Sequence, residues 1–295
     1  MIPGGLGWGL IALCLVVIVL PFWVESRRPS IGRSARNATD GSFVKLSQGV
    51  TQYRWQGAAR GPVLVAIHGL TTPSQTFDRL APLLGALGFR VLTYDLYGRG
   101  LSDAPKGRQD RAFFLRQLRD LLTALEIEDG FTLLGYSMGG AIATALAEEE
   151  PHRVHRLILL APAGMEINLS RFEKTCVSFP VVGDWLMLAV SLRRSVVSSL
   201  GPLRRGFLPA VLSSLRHMLR ERQEAAHRAI GRSDVPVVAI WGRKDTRIPI
   251  TGLGQLAQWN RNVRQHVIDG ADHRLPTNAP DAVAKALADI LGDRD

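Results

Sequence analysis

The residues of this 295-residue chain that could carry chemistry are a serine set between glycines, seven histidines, and a few aspartates at the ends of apolar runs. The serine is Ser137, inside Gly135-Tyr136-Ser137-Met138-Gly139. The four residues before Gly135 are strand-like, and Met138 to Glu149 is small, apolar and helix-forming. On a strand-to-helix turn, Gly-x-Ser-x-Gly lifts a hydroxyl above the carboxyl edge of a parallel sheet. The serine backbone there is strained, and the glycines leave room for the new helix to cross the strand. The N–H of Met138 then points into the site from a helix N-terminus, where developing negative charge is favoured. Taken alone, the pattern also fits an ordinary turn with a solvated serine.

A serine hydroxyl is a weak nucleophile until a base takes its proton, and histidine suits the task because it titrates near neutrality. A buried carboxylate then orients the ring and stabilises its charged form. His273 follows the last apolar run and precedes a helix. His68 ends an earlier run, ahead of the serine, and reads as support for a loop. His152 and His155 fall in a polar turn, His217 and His227 on helices of a middle segment, and His266 inside a strand. For the carboxylate, Asp245 ends its own strand, while Asp269 and Asp272 are near His273 only along the chain. Asp95 and Arg99 read as a turn or ion pair shaping the adjoining loop.

These positions need elements to hold them. Phe43–Leu46 and Val50–Trp55 look like a hairpin. Val63–Ile67, Arg90–Tyr94, Phe131–Leu134, Arg156–Leu160, Val235–Trp241 and Val263–Ile268 read as strands, several of them continuous apolar runs of the kind buried parallel strands show. Helical spacing covers Thr76–Leu87, Asp110–Leu125, Met138–Glu149, Ile250–Trp259 and Pro280–Leu291. The alternation predicts an α/β domain, a mainly parallel sheet covered by helices on both faces. Residues 163–232 break it: rich in Leu, Val and Arg and without a clear strand, they are expected to form a helical cap between core segments 42–162 and 233–295.

Hydrophobic residues make up 46% of the chain, enough for a sizeable core. Two cysteines, Cys14 and Cys176, make no disulfide framework, and no Cys/His spacing of a metal site is present. The net charge is +10. Residues 166–232 hold 11 Lys/Arg against 5 Asp/Glu, and residues 25–36 hold four Arg against one Glu. Charge placed there fits an anionic lipid surface better than a nucleic-acid stripe, and no nucleic-acid-reading module is present. Solvated arginines on helix faces explain the middle segment equally well.

Gly4 to Val24 contains no charged residue. At the helical rise these residues span about 31 Å, enough to cross a hydrocarbon core. Trp8 and Trp23 lie near its ends, where interfacial aromatics belong. With no basic residue ahead of the run and no Ala-x-Ala site after it, residues 1–24 are expected to be an uncleaved single-pass anchor rather than a signal peptide. Arg27, Arg28, Arg33 and Arg36 behind it predict, by the positive-inside rule, a domain facing the cytoplasm. Residues 25–41 read as a linker.

From about residue 43 to 293 the chain resembles the α/β-hydrolase superfamily. The resemblance rests on His68-Gly69, Asp95 through Ser102, Gly135 through Gly140, Trp241 through Asp245 and Gly270 through His273. It is nearest to esterases and monoacylglycerol lipases with helical caps, including forms with an N-terminal membrane helix. The resemblance implies Ser137 as nucleophile, His273 as base and Asp245 as its carboxylate, with the backbone N–H groups of Leu70 and Met138 holding an oxyanion. It implies no cofactor and no metal. Serine, where the dehalogenase and epoxide-hydrolase branches carry Asp, points to acyl transfer to water. Carbon–carbon hydrolases and cofactor-free haloperoxidases of the same fold share this elbow. The expected activity is hydrolysis of an apolar or lipid-like carboxylic ester, of monoacylglycerol or lysolipid type. Carbon–carbon hydrolysis and a silent membrane-tethered binding protein are the alternatives.

Overall fold

The computed structural model describes residues 5–192 and 203–292. The first four residues of the expected anchor, residues 193–202 of the expected cap and the last three of the core lie outside them.

Eight strands form one sheet: β1 (Ser42–Lys45), β2 (Val50–Gly57), β3 (Val63–Ile67), β4 (Arg90–Tyr94), β5 (Phe131–Tyr136), β6 (Val154–Leu160), β7 (Val237–Gly242) and β8 (Arg264–Ile268). Their order is β1-β2-β4-β3-β5-β6-β7-β8. β1 pairs antiparallel with β2, and β2 antiparallel with β4. Every other pairing is parallel, so the sheet is mainly parallel, as its apolar runs predict. The chain leaves β3 toward β4 on one side and returns through β5 on the other. Ligands of open α/β sheets bind at such a reversal, outside the strands' carboxyl ends. Here those ends are Ile67 and Tyr136, each followed by a residue of interest.

Two apolar layers sandwich the sheet. One face packs on the helices Arg111–Ala124 and Met138–Glu149, through Phe114, Leu118, Ile142 and Leu146. The other packs on Ala81–Ala86 and Pro280–Gly292, through Leu84, Val283 and Leu287. The Arg111 helix starts where Asp110 accepts the Phe113 N–H, an N-cap that satisfies one orphan donor. The expected helix over 76–87 is broken into a 3-10 turn, Ser74–Phe77, and the helix Ala81–Ala86. Pro82 explains the break: it has no N–H to give the preceding turn, and its fixed φ suits the start of a new helix.

Between β6 and β7 the described residues contain helices and no strand: Arg171–Ser178, Pro180–Val190, Phe207–Arg216 and Glu224–Ile230. Ahead of the sheet, the helix Gly5–Arg27 is long and apolar enough to cross a membrane. Its Trp8, Leu13, Val16, Ile18 and Trp23 are exposed. Over residues 25–41 this helix runs out, a short one covers Arg33–Asn37, and several contacts tie the stretch to the domain. Arg28 donates to Ser191 Oγ (2.6 Å), Glu25 accepts the Gly206 N–H (2.8 Å), and Arg36 pairs with Asp103.

Candidate active site

Ser137 leaves β5 with φ +54° and ψ −117°, a conformation L-residues rarely hold. The neighbours over-determine it. The Ser137 N–H donates to Leu160 O (3.0 Å), and its carbonyl accepts from Gly140 and Ala163 (both 2.9 Å). Gly139 is obligatory by contact: a Cβ there would sit 2.0 Å from Ile67 O. The strain therefore presents the hydroxyl at the sheet edge, and the packing holds it there.

His273 follows β8 and Asp245 follows β7, so two loops at the same edge converge on Ser137. His273 Nε2 lies 3.0 Å from Ser137 Oγ, and Nδ1 lies 2.7 Å from Asp245 Oδ2. Asp245 keeps its other oxygen on the N–H groups of Arg247 and Ile248, both at 2.8 Å. Its side chain is 1% exposed, that of His273 22%. The carboxylate is thus fixed and dry, while the ring reaches the pocket. The tilted Tyr136 ring stands 5.3 Å from it. The two rival aspartates point elsewhere: Asp269 pairs with Arg243, and Asp272 accepts from Arg274 and Asn278.

Ser137 and His273 open on a cavity of about 330 Å³, shared with Gly69, Leu70, Ile167 and Leu219. Leu70 lies on its wall and Met138 heads the elbow helix. Across the mouth, Arg247 makes a two-pronged pair with Glu173 of the cap (2.8 and 2.7 Å), and the Arg247 guanidinium holds the Glu173 carboxyl below its ordinary range against the pull of burial. The larger groove of about 1000 Å³, among Arg108, Arg111, Arg119 and His217, contains none of these groups.

His68 is fully buried. Its Nε2 accepts the Leu96 N–H (2.9 Å), which leaves Nδ1 to donate to Gly69 O (2.8 Å). Burial pushes its pKa down to about 3, so it is neutral. Holding Gly69 O fixes the plane of the Gly69–Leu70 peptide, whose N–H lies on the opposite side. Of the turn or ion pair expected at Asp95 and Arg99, the structure has the turn, closed by Arg99 N–H on Leu96 O (2.9 Å), and not the ion pair. Asp95 accepts backbone N–H groups from Ser74 (2.7 Å) and Leu101 (2.8 Å). Burial pushes its pKa up, against the pull of those donors. Arg99, equally buried, donates instead to Leu70 O (2.9 Å), Tyr97 O (2.9 Å), Gln109 and Ser214 Oγ (2.8 Å). A buried guanidinium needs several acceptors around its rigid fork, and these four backbone and side-chain groups, from residues 70 to 214, provide them. No local spacing pointed to this network; the one signal was an arginine set between Gly98 and Gly100.

Among known proteins, residues 62–182 match the model of the alpha/beta hydrolase fold family. An uncharacterized protein of Mycobacterium tuberculosis is 29% identical over 225 residues, 65% of this chain and 64% of that protein. This chain thus spans less than two thirds of that relative's length. The 2-hydroxymuconate semialdehyde hydrolase of Pseudomonas putida is 27% identical over 70% of this chain and 78% of its own. A membrane phospholipase A structure superposes with a TM-score of 0.66 at 19% identity, covering 98% of this chain and 97% of that one. The enol-lactonase of Burkholderia xenovorans LB400 gives 0.69 at 22% identity, over 85% and 100%. A sheet in this order, an elbow after its fifth strand and these likenesses lead to one assignment: the chain has the α/β-hydrolase fold.

Proposed function

We propose that this protein is a membrane-anchored serine hydrolase of apolar or lipid-like carboxylic esters, of monoacylglycerol or lysolipid type. The observation that carries the reading is the unbroken line Ser137 Oγ, His273 Nε2, His273 Nδ1, Asp245 Oδ2. His273 takes the Ser137 proton as Oγ attacks the ester carbonyl, and Asp245 stabilises the imidazolium. The N–H groups of Leu70 and Met138 receive the oxyanion. Collapse of the tetrahedral intermediate expels the alcohol, which takes the proton from His273 and leaves an acyl-Ser137 ester. A water, deprotonated by the same ring, attacks that ester and releases the carboxylic acid and free Ser137. No metal or redox group enters the balance.

Lipid-like substrates are favoured by the exposed apolar helix Gly5–Arg27 and by a basic cap beside the pocket; the membrane phospholipase named above is a protein of the same fold with such a substrate. The arginines behind the helix favour a cytoplasmic domain, which protease accessibility in sealed cells tests. The kinship with a semialdehyde hydrolase favours a second reading, carbon–carbon cleavage by the same residues. A graded series of p-nitrophenyl and monoacylglycerol esters, run beside a ring-cleavage dienoate, separates the two. Ester turnover and fluorophosphonate labelling are expected, and both are lost in Ser137→Ala. Turnover of the dienoate alone overturns the ester reading, and an unlabelled, folded protein overturns both.

A further inference from the structure

The apolar helix Gly5–Arg27 contains a proline, Pro21. Proline has no N–H, so the carbonyl four residues earlier, Val17 O, lacks its helical donor. That carbonyl accepts the indole N–H of Trp185 at 3.1 Å. Trp185 belongs to the cap helix Pro180–Val190, which packs along the first helix. A second tie closes the other end, where Arg28 donates to Ser191 Oγ. The order of these contacts, Val17 with Trp185 and Arg28 with Ser191, makes the two helices run parallel.

The depth of this packing matters. From Arg27 back to Val17 is ten residues, about 15 Å at the helical rise, against a hydrocarbon core of about 30 Å. Glu25, Arg27 and Arg28 mark the water boundary, with the Arg27 guanidinium 5.4 Å over the Trp23 ring. If the first helix crosses a bilayer with that boundary at the surface, Trp185 touches it well inside the leaflet. The cap helix therefore cannot stay in water. Its composition agrees. No charge occurs from Thr175 to Gly183, and Phe179, Val181 and Val182 are 59%, 77% and 56% exposed. The one acid of the helix, Asp184, is 42% exposed and has its charge met by Arg216 (2.7 Å). Arg216 also donates to the carbonyls of Cys176 and Pro180, so two carbonyls on either side of the turn between the cap helices are met from within, as a segment in lipid requires.

The turn also stands near the serine's pocket. Val177 and Ser178, just before Phe179, line a cavity of about 260 Å³ with Met165, Leu169, Lys174, Leu215 and Arg220, and Ile167 and Leu219 line both this cavity and the Ser137 pocket.

We propose that the cap turn Phe179–Val182 is a second, monotopic membrane element, sunk into the acyl region to about the middle of the bilayer beside the anchor helix, and that acyl chains reach Ser137 from the bilayer under the helix Arg171–Ser178. This rests on the anchored ester-hydrolase reading above and names where its substrate enters. The occupant of the exposed valines is lipid, because their surface continues that of the anchor helix.

The test uses the full chain in vesicles of phosphatidylcholine and phosphatidylglycerol, with Cys14→Ala to leave buried Cys176 as the remaining native thiol. A polarity-sensitive fluorophore is placed on Val182→Cys and, as a control at the amino edge of the sheet, on exposed Glu128→Cys. The label at 182 should lose most of its emission to a phospholipid carrying a mid-chain nitroxide and little to aqueous iodide, with the reverse at 128. Quenching by iodide at 182 as strong as at 128, in protein that resists carbonate extraction, overturns insertion and leaves the anchor standing. Protection from both quenchers means that a second copy covers the turn, which also overturns it. Release of the protein by carbonate overturns the anchor itself, and the insertion with it.

Discussion

His68 and Arg99 act on the proposed chemistry through a single loop. One holds the carbonyl of Gly69 and the other that of Leu70, so two consecutive peptide planes beside Ser137 are fixed by buried side chains. Removing the ring in His68→Ala leaves the Leu96 N–H and Gly69 O unpaired and frees the peptide whose N–H is proposed to meet the oxyanion. Loss of one such donor typically lowers kcat by about 10²–10³. We expect His68→Ala to approach that loss in kcat with KM little changed, since the pocket walls stay in place. Steady-state kinetics on one short ester checks this, and a loss confined to KM would place His68 in substrate binding instead.

The elbow shows the same logic at the level of elements. β5 ends against β3 so closely that the helix after Ser137 passes over Ile67 with no space for a side chain. In Gly139→Ala the new methyl meets backbone oxygen, which cannot rotate away, so the strand or the helix must shift. Overpacking of this kind costs about 1–3 kcal/mol. Urea unfolding should show a lower midpoint, and fluorophosphonate labelling should slow as the hydroxyl moves off His273. Residues 131–149 carried much of this in their letters, because strand runs, small residues and a serine between glycines leave local traces. Ser137, Asp245 and His273 could be named together because each follows its own strand. Other features leave no such trace. The fork of Arg99 reaches Ser214, and Trp185 reaches Val17, across separations with no period to read. Asp95 and Arg99, four apart, invited a pairing as well as a turn, but the carboxylate takes the N–H groups of Leu101 in its own loop and of Ser74 in another. The break at Pro82 was legible in principle, since a proline in a helical run marks a start as readily as an interior.

Across the whole molecule, the same burial that fixes these loops makes stability depend on acidity. Two histidines are buried and held neutral. Burial brings His68 down to about 3 and His227 down to about 4, the latter stacked on Trp259 at 6.2 Å. In the unfolded chain both would titrate near 6.5. Between the folded and unfolded values the unfolded state binds more protons, so stability rises with pH there. It is complete above about 6.5 and is lost progressively as the pH falls toward 4 and then 3. Carboxylates held low by arginine, Glu149 and Glu150 among them, add in the same direction only near their own lower range. The histidine contribution is therefore the first to appear on acidification. We expect the melting temperature of the detergent-solubilised protein to fall between pH 6.5 and 5. In His227→Gln the slope over this interval should be shallower than in the parent, because one of the two proton-linked groups is gone while His68 remains. An identical slope would show that His227 is already protonated in the folded protein. Its two ring nitrogens, which have no hydrogen-bond partner among the described residues, would then have to share a charge inside an apolar wall.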